Sequence, residues 1–228
     1  MVRMCGLILL CTTAWAWQAN IDGTANGNDQ VNAVAVDGAG NVLAAGGTAN
    51  TGTGFDFTVI KFDPNGAELW RQVINGTANG GDEANAVAVD PNGDVVVAGF
   101  TTNTLTGRDF TVIKFSGADG TEQWRQEMVG SFSFLDQANA VTVDANGDVV
   151  AAGNTGTLVD FAVIKFSGID GTELWHQEIA GTAFGNDTAL AVAVDAQGDV
   201  LAAGRTANTG TGQDFTVVKL RGTDGSDF

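Results

Sequence analysis

The chain has 228 residues, 27 of them acidic and 10 basic, for a formal net charge of −17 at pH 7. No basic stripe is available to displace nucleic-acid counterions or to adhere to an anionic membrane, so those partners are disfavoured, while cations, basic proteins and neutral glycans stay open. The two cysteines, Cys5 and Cys11, lie within the first 16 residues, which leaves the remainder without a disulfide, a thiolate metal site or a cysteine nucleophile.

Met1 to Arg3 is a short basic lead, Met4 to Cys11 an apolar run, and Ala14-Trp15-Ala16 an A-x-A site. That is the layout of a secretory signal, and the run is far shorter than the roughly 20 residues of a membrane span. The expected organisation is a signal peptide over 1–16 and one repeat domain over 17–228, in a bacterial protein that is secreted or held at the cell surface. Two alternatives stand beside it: a lipoprotein acylated at Cys11, disfavoured by the bulky Leu10 before it, or a ragged piece of a preceding repeat, since WQANIDGTANGND matches later segments.

From there the chain repeats itself. AVAVD or AVTVD begins at Ala33, Ala86, Ala140 and Ala191, at spacings of 53, 54 and 51 residues. A second anchor, DF-(T/A)-V-(I/V)-K-(F/L), begins at Asp56, Asp109, Asp160 and Asp214. A third is a Trp six residues before a Gly and twelve before an Asp, at Trp17, Trp70, Trp124 and Trp175. Four units of about 53 residues follow, with cores near 29–76, 82–130, 136–181 and 187–228, which marks a repeat architecture. In the second unit four strands are expected, near Asn85–Val89, Asp94–Gly99, Asp109–Phe115 and Glu122–Met128. They are rich in Val, Ile, Thr and Phe, bounded by turn residues, and show no helical stripe.

The first connection of each unit, such as Asp90-Pro-Asn-Gly-Asp94, reads as a tight hairpin in which Pro sets the first corner and Gly the left-handed residue. The third connection is also turn-like, so each unit is a four-stranded antiparallel meander. Its first two strands are apolar on both faces and must be covered on both sides. An all-β propeller, four-stranded blades packed face to face around an axis, supplies that cover. Trp17, Trp70, Trp124 and Trp175 are then the inter-blade contacts. Lys61, Lys114, Lys165 and Lys219 are expected to form exposed cross-strand pairs with Glu68, Glu122, Glu173 and Asp227.

These units, of the form D-x-A-N-A-V-A-V-D-x-x-G-(D/N)-V…D-F-x-V-I-K-F…G-x-E-x-W, resemble the SBBP (seven-bladed β-propeller) repeats of bacterial exported proteins. The resemblance implies a propeller and an extracellular setting, and no activity. The D-G-T-E-x-W run is also similar to the Trp-docking motif of quinoprotein-type propellers. Because the last unit lacks a fourth strand and residues 17–28 supply an orphan one, four blades closed by that N-terminal strand are expected. The alternative is an open arc or a fragment of a larger propeller: a monomer if closed, a possible dimer if open.

For function, the lone His176 stands where sister units have Arg71 and Arg125, which makes it a solvated strand residue. With His176 read as a solvated strand residue, and no second His, no Tyr and no Cys beyond the leader, no Ser-His-Asp, Cys-His or multi-His site is expected to assemble. Gly52-Thr-Gly54 and Gly210-Thr-Gly212 precede no helix and are loop tips rather than phosphate cradles. The expected function is therefore a non-catalytic binding or scaffold module that recognises a protein or glycan with its loop face. The alternative is a carbohydrate-active enzyme working with two carboxylates. Phe132, Phe134 and Phe184 occupy the loops that differ between units and are the contact candidates. No cofactor is implied beyond a possible calcium ion. Asp29, Asp82, Asp136 and Asp187 are its candidate ligands, unless they serve as turn formers.

Overall fold

A computed structural model describes residues 16–130, 135–156 and 160–228. Residues 1–15, and Phe132 and Phe134, fall outside those residues. Blade 1 comprises β1 (Gln30–Val36), β2 (Val42–Asn50), β3 (Gly54–Phe62) and β4 (Glu68–Ile74), and blade 2 β5 (Glu83–Val89), β6 (Val95–Asn103), β7 (Gly107–Phe115) and β8 (Glu122–Met128). Blade 3 comprises β9 (Gln137–Val143), β10 (Val149–Thr155), β11 (Asp160–Phe166) and β12 (Glu173–Ile179), and blade 4 β13 (Thr188–Val194), β14 (Val200–Asn208) and β15 (Gly212–Leu220). Each sheet is an antiparallel meander in sequence order. The chain is a β-propeller arc.

The hydrophobic core lies between blades. Phe57 and Val59 of blade 1 pack with Val95, Val97, Ile113 and Phe115 of blade 2. The next seam sets Phe110 and Val112 against Val149, Ala151, Ile164 and Phe166. The third sets Phe161 and Val163 against Val200, Ala202 and Leu220. Each blade thus shows one apolar face to the blade before it and another to the blade after, which is why β6 and β10 are buried along most or all of their length. On the inner strands, Asn32, Asn85 and Asn139 donate across each seam to the carbonyls of Ala84, Ala138 and Ala189 at 2.8–2.9 Å.

A polar lock fastens the outer part of every seam. In the first hairpin of blade 2, Asp90 Oδ1 accepts from the N–H groups of Asn92 and Asp94, both at 2.8 Å. Its Oδ2 faces Lys114 Nζ at 2.8 Å. A bulge between Lys114 and Phe115 pairs Lys114 with Trp124 across β7 and β8, so both side chains point at blade 3. There the ammonium and the indole N–H donate to one acceptor, the Gly168 carbonyl, at 2.7 and 3.4 Å. Lys61 and Trp70 meet Gly117 in the same way, and Lys165 and Trp175 meet Gly222. Each Trp lies flat on a turn glycine of the following blade: a Cβ on Gly171, at φ 73°, would stand 2.7 Å from Trp124 Cδ2.

Two expectations are corrected here. Lys61, Lys114 and Lys165 are buried in seams with Asp37, Asp90 and Asp144, and the more exposed Lys219 pairs with Asp195, whereas Glu68 and Glu122 pair with Arg71 and Arg125 on their own strands. The closed ring also gives way to the open arc. No strand is assigned over 16–21, and among the described residues β15 is hydrogen-bonded along its length only to β14, with a single bridge from Leu220 to Asp227. Trp17 instead packs on blade 1, its ring 5.5 Å from Phe62 and against Gly66, in the relation that Trp70 bears to Phe115 and Gly120.

Removing the ammonium from one buried lock strands a carboxylate in the seam. Lys114→Met should therefore cost about 3–5 kcal/mol in urea unfolding. Lys219→Met, at the solvent-facing equivalent in blade 4, should cost far less. Equal losses in the two variants would show that the lock does not hold the seam.

Candidate functional site

The loops from one blade to the next share an end of the arc with the turns between the second and third strands. Each transit loop of the form G-T-A-x-G-x-D is laced to the adjacent turn. Thr77 N donates to Asn103 Oδ1 at 2.8 Å, and Thr104 N to Thr77 Oγ1 at 3.0 Å. Thr24 with Asn50 and Thr51, and Thr182 with Asn208 and Thr209, repeat the pattern in blades 1 and 4.

The Asp that closes each loop is the clamp. Asp82 is fully buried, accepting from the N–H of Gly76 at 2.8 Å and from that of Thr102. Asp187 likewise accepts from Gly181 and Ala207, Asp29 from Gly23 and Ala49, and Asp136 from Gly130. Each carboxylate thus serves backbone donors of its own blade. Among the described residues no group of three or more His, Cys, Asp or Glu stands close enough to hold a metal ion, so the four expected ligands are not brought together. Asp56, Asp109 and Asp214 accept from nearby threonine hydroxyls at 2.6–2.8 Å.

Burial pushes the Asp82 carboxyl above its ordinary value, with Asp56 and Glu127 adding to the rise and the backbone N–H bonds opposing it. Asp37 in the seam goes the other way. Burial raises it, but the Lys61 ammonium, the Asn41 amide and the hairpin N–H groups outweigh that and hold it well below.

Two large apolar side chains stand in water on the loop end. Phe184 is 94% exposed at the tip of Gly181-Thr-Ala-Phe-Gly-Asn-Asp187, a loop that differs from Gly23-Thr-Ala-Asn-Gly-Asn-Asp29 only at that residue. Leu105, 90% exposed, occupies the turn position that is Gly52 in blade 1 and Gly210 in blade 4. Sequence reasoning found Phe184 and missed Leu105, although a leucine where sister turns carry glycine was a readable signal. It also missed a groove of about 240 Å³ that runs over blades 2 to 4, lined by Arg108 of blade 2, Asn139 and Asn154 of blade 3, and Asn186 and Arg205 at blade 4. Arg108 lies on the Phe100 ring at 4.1 Å. His176 is on β12, its Nε2 3.6 Å from Glu178.

The fold and these repeated locks define a β-propeller of the Trp-docking kind. A family model described as outer membrane protein assembly factor BamB matches residues 12–224, and the chain belongs to that family. This overturns the resemblance to SBBP repeats: the shared residues are hairpin Asp-Gly pairs, strand valines and docking tryptophans, which any such propeller needs. The D-G-T-E-x-W run was the more specific pointer. No curated protein matches in sequence. Solved structures with a similar fold include a protein of unknown function from Bacteroides caccae, at TM-score 0.51 and 16% identity over 85% of this chain and 57% of that one. Another is BamB from Moraxella catarrhalis, at TM-score 0.50 and 15% identity over 87% of this chain and 46% of that one. A third is the quinohemoprotein alcohol dehydrogenase from Comamonas testosteroni, at TM-score 0.59 and 17% identity over 87% and 34%. The chain spans between a third and three fifths of these proteins' lengths, and the likeness is one of fold.

Asp37→Asn and Asp82→Asn should respond to pH in opposite senses, read by urea unfolding at pH 3 and pH 7. The depressed Asp37 contributes stability above its unfolded value of 3.8 and loses it as pH falls below that, so its variant loses more at pH 7. The raised Asp82 contributes most below 3.8 and loses that contribution as pH climbs through its folded value, so its variant loses more at pH 3. Parallel pH profiles would contradict both environments.

Proposed function

We propose that this protein is an exported, non-catalytic protein-binding module whose loop end receives its partner, with Phe184 and Leu105 as apolar anchors beside the Arg108/Arg205 groove. The observation that carries the reading is Phe184. In a loop otherwise identical to its blade 1 counterpart, an asparagine gives way to a phenylalanine that is 94% exposed. Burying such a ring contributes to binding rather than to folding, and aromatic and arginine side chains are enriched where proteins recognise one another. Membership of the BamB family supports a role in handling other proteins. The leader-like first 16 residues support export.

A photo-crosslinking amino acid at position 184 or 105, in cells of an expressing bacterium, should give a defined protein adduct. The same probe at Ile169, equally exposed on a turn at the opposite end, should give none. Phe184→Ser should remove the Leu105 adduct while changing folding stability by less than about 0.5 kcal/mol. Adducts of equal yield from position 169 would overturn the assignment of the face.

A further inference from the structure

The two ends of the arc are the two halves of a seam. At the blade 4 end, Phe215 and Val217 are 85% and 57% exposed. They occupy the positions of Phe57 and Val59, Phe110 and Val112, and Phe161 and Val163, all of which are fully buried against a following blade. On the inner strand β13, Leu190, also exposed, stands where the other blades carry the asparagine that crosses the seam to the next blade. At the blade 1 end, Val31, Val34 and Val36 are exposed, in the positions of Ala84, Val87 and Val89, which pack against a preceding blade.

The polar lock and the strand pairing are split between the ends as well. Lys219 already holds Asp195 and Asp199, at 2.8 and 3.3 Å, but has no following blade to reach. Among the described residues, the outer edge of β15 is unpaired along most of its length. Blade 1 carries the complement. Trp17 is seated on Phe62 and Gly66 as the docking Trp of a preceding blade, and residues 19–21 leave a groove of about 240 Å³ over Ala44 and Ile60. In the internal seams the positions equivalent to Ala44 and Ile60, Val97 and Ile113, are covered by the preceding blade's Phe and Val.

We propose that the missing seam is made with a second copy of this chain, head to tail. Blade 4 of one protomer packs Phe215 and Val217 on Val31, Val34 and Val36 of its partner, whose residues 17–21 add to β15 as its fourth strand. The register follows from Lys61 with Trp70, Ile60 with Arg71 and Val59 with Gln72. It sets Lys219 opposite Trp17, Val218 opposite Gln18 and Val217 opposite Ala19. The interface is continuous with those inside the chain, which builds it three times within itself and displays both halves of a fourth. Four blades match 46% of the length of the M. catarrhalis BamB chain, so two copies supply about one such chain, and a two-copy ring satisfies both ends of each protomer. The copies carry a charge of −17 each, so the apolar seam strengthens as salt screens their repulsion.

Sedimentation of the full chain at physiological ionic strength or above tests this. The expected result is twice the monomer mass. Val217→Asp and Val34→Asp, both at exposed sites, should each sediment as folded monomers with unchanged circular dichroism. Mixing the two should restore dimers, because the intact blade 4 face of one variant meets the intact blade 1 face of the other. A chain carrying Gln18→Cys and Val218→Cys, with Cys5→Ser and Cys11→Ser, should form a disulfide-linked dimer on a non-reducing gel. A wild-type monomer at every concentration, a mixture that stays monomeric, or an internal disulfide at monomer mobility would each overturn the proposal.

Discussion

Everything in this fold depends on how one blade is tied to the next, and the tie is an aspartate, a lysine and a tryptophan acting on a single carbonyl oxygen. The hairpin carboxylate spends one oxygen on its own turn and the other on the lysine ammonium. The lysine then reaches a glycine carbonyl of the following blade, which the indole N–H also bonds. A buried ammonium without such partners would be expelled or neutralised, so the turn, the ion pair and the blade contact stand or fall together. Glycine is required where the indole lies, since a Cβ on Gly171 would enter the ring. The sheets themselves share almost no backbone bonds, so these locks and the apolar faces beneath them turn separate meanders into one arc.

Much of this was legible in the sequence. The repeat period, the four strands per unit, the hairpin turns and the tryptophans at the seams were all readable, because each follows from a local pattern. The lysine partner was not. Counting along regular strands sets Lys61 near Glu68, but the register shifts between Lys61 and Phe62, which pairs the lysine with Trp70 and Phe62 with Glu68. Lys61 keeps the face of Phe57 and Val59, and the one-residue irregularity puts Glu68 on the other side of the sheet, which no composition signal marks. The closed ring failed for a different reason. Repeat counting shows that strands are complementary, but it carries no information on whether the complement lies in the same molecule.

The recurring aspartates show how repetition misleads about chemistry. Four carboxylates at equivalent corners suggest a cation on the axis when read as a set. Each instead answers a need of its own blade: a loop that crosses close over a strand end leaves two backbone N–H groups facing inward, and a buried carboxylate satisfies both. Acidic composition here is largely a matter of turns, clamps and locks.

It follows that function in such a chain has to be sought where the units disagree. A residue present in every blade is accounted for by what every blade needs, and two sets of departures from the repeat stand out among the described residues. On the loop end, Phe184 replaces an asparagine and Leu105 a glycine, and both changes set an apolar side chain in water with no gain in internal packing. In blade 4, Leu190 replaces an asparagine that in the other blades bonds the blade that follows. Each departure adds exposed apolar surface to the blade that carries it, so in each case what the change serves lies outside that blade's own packing.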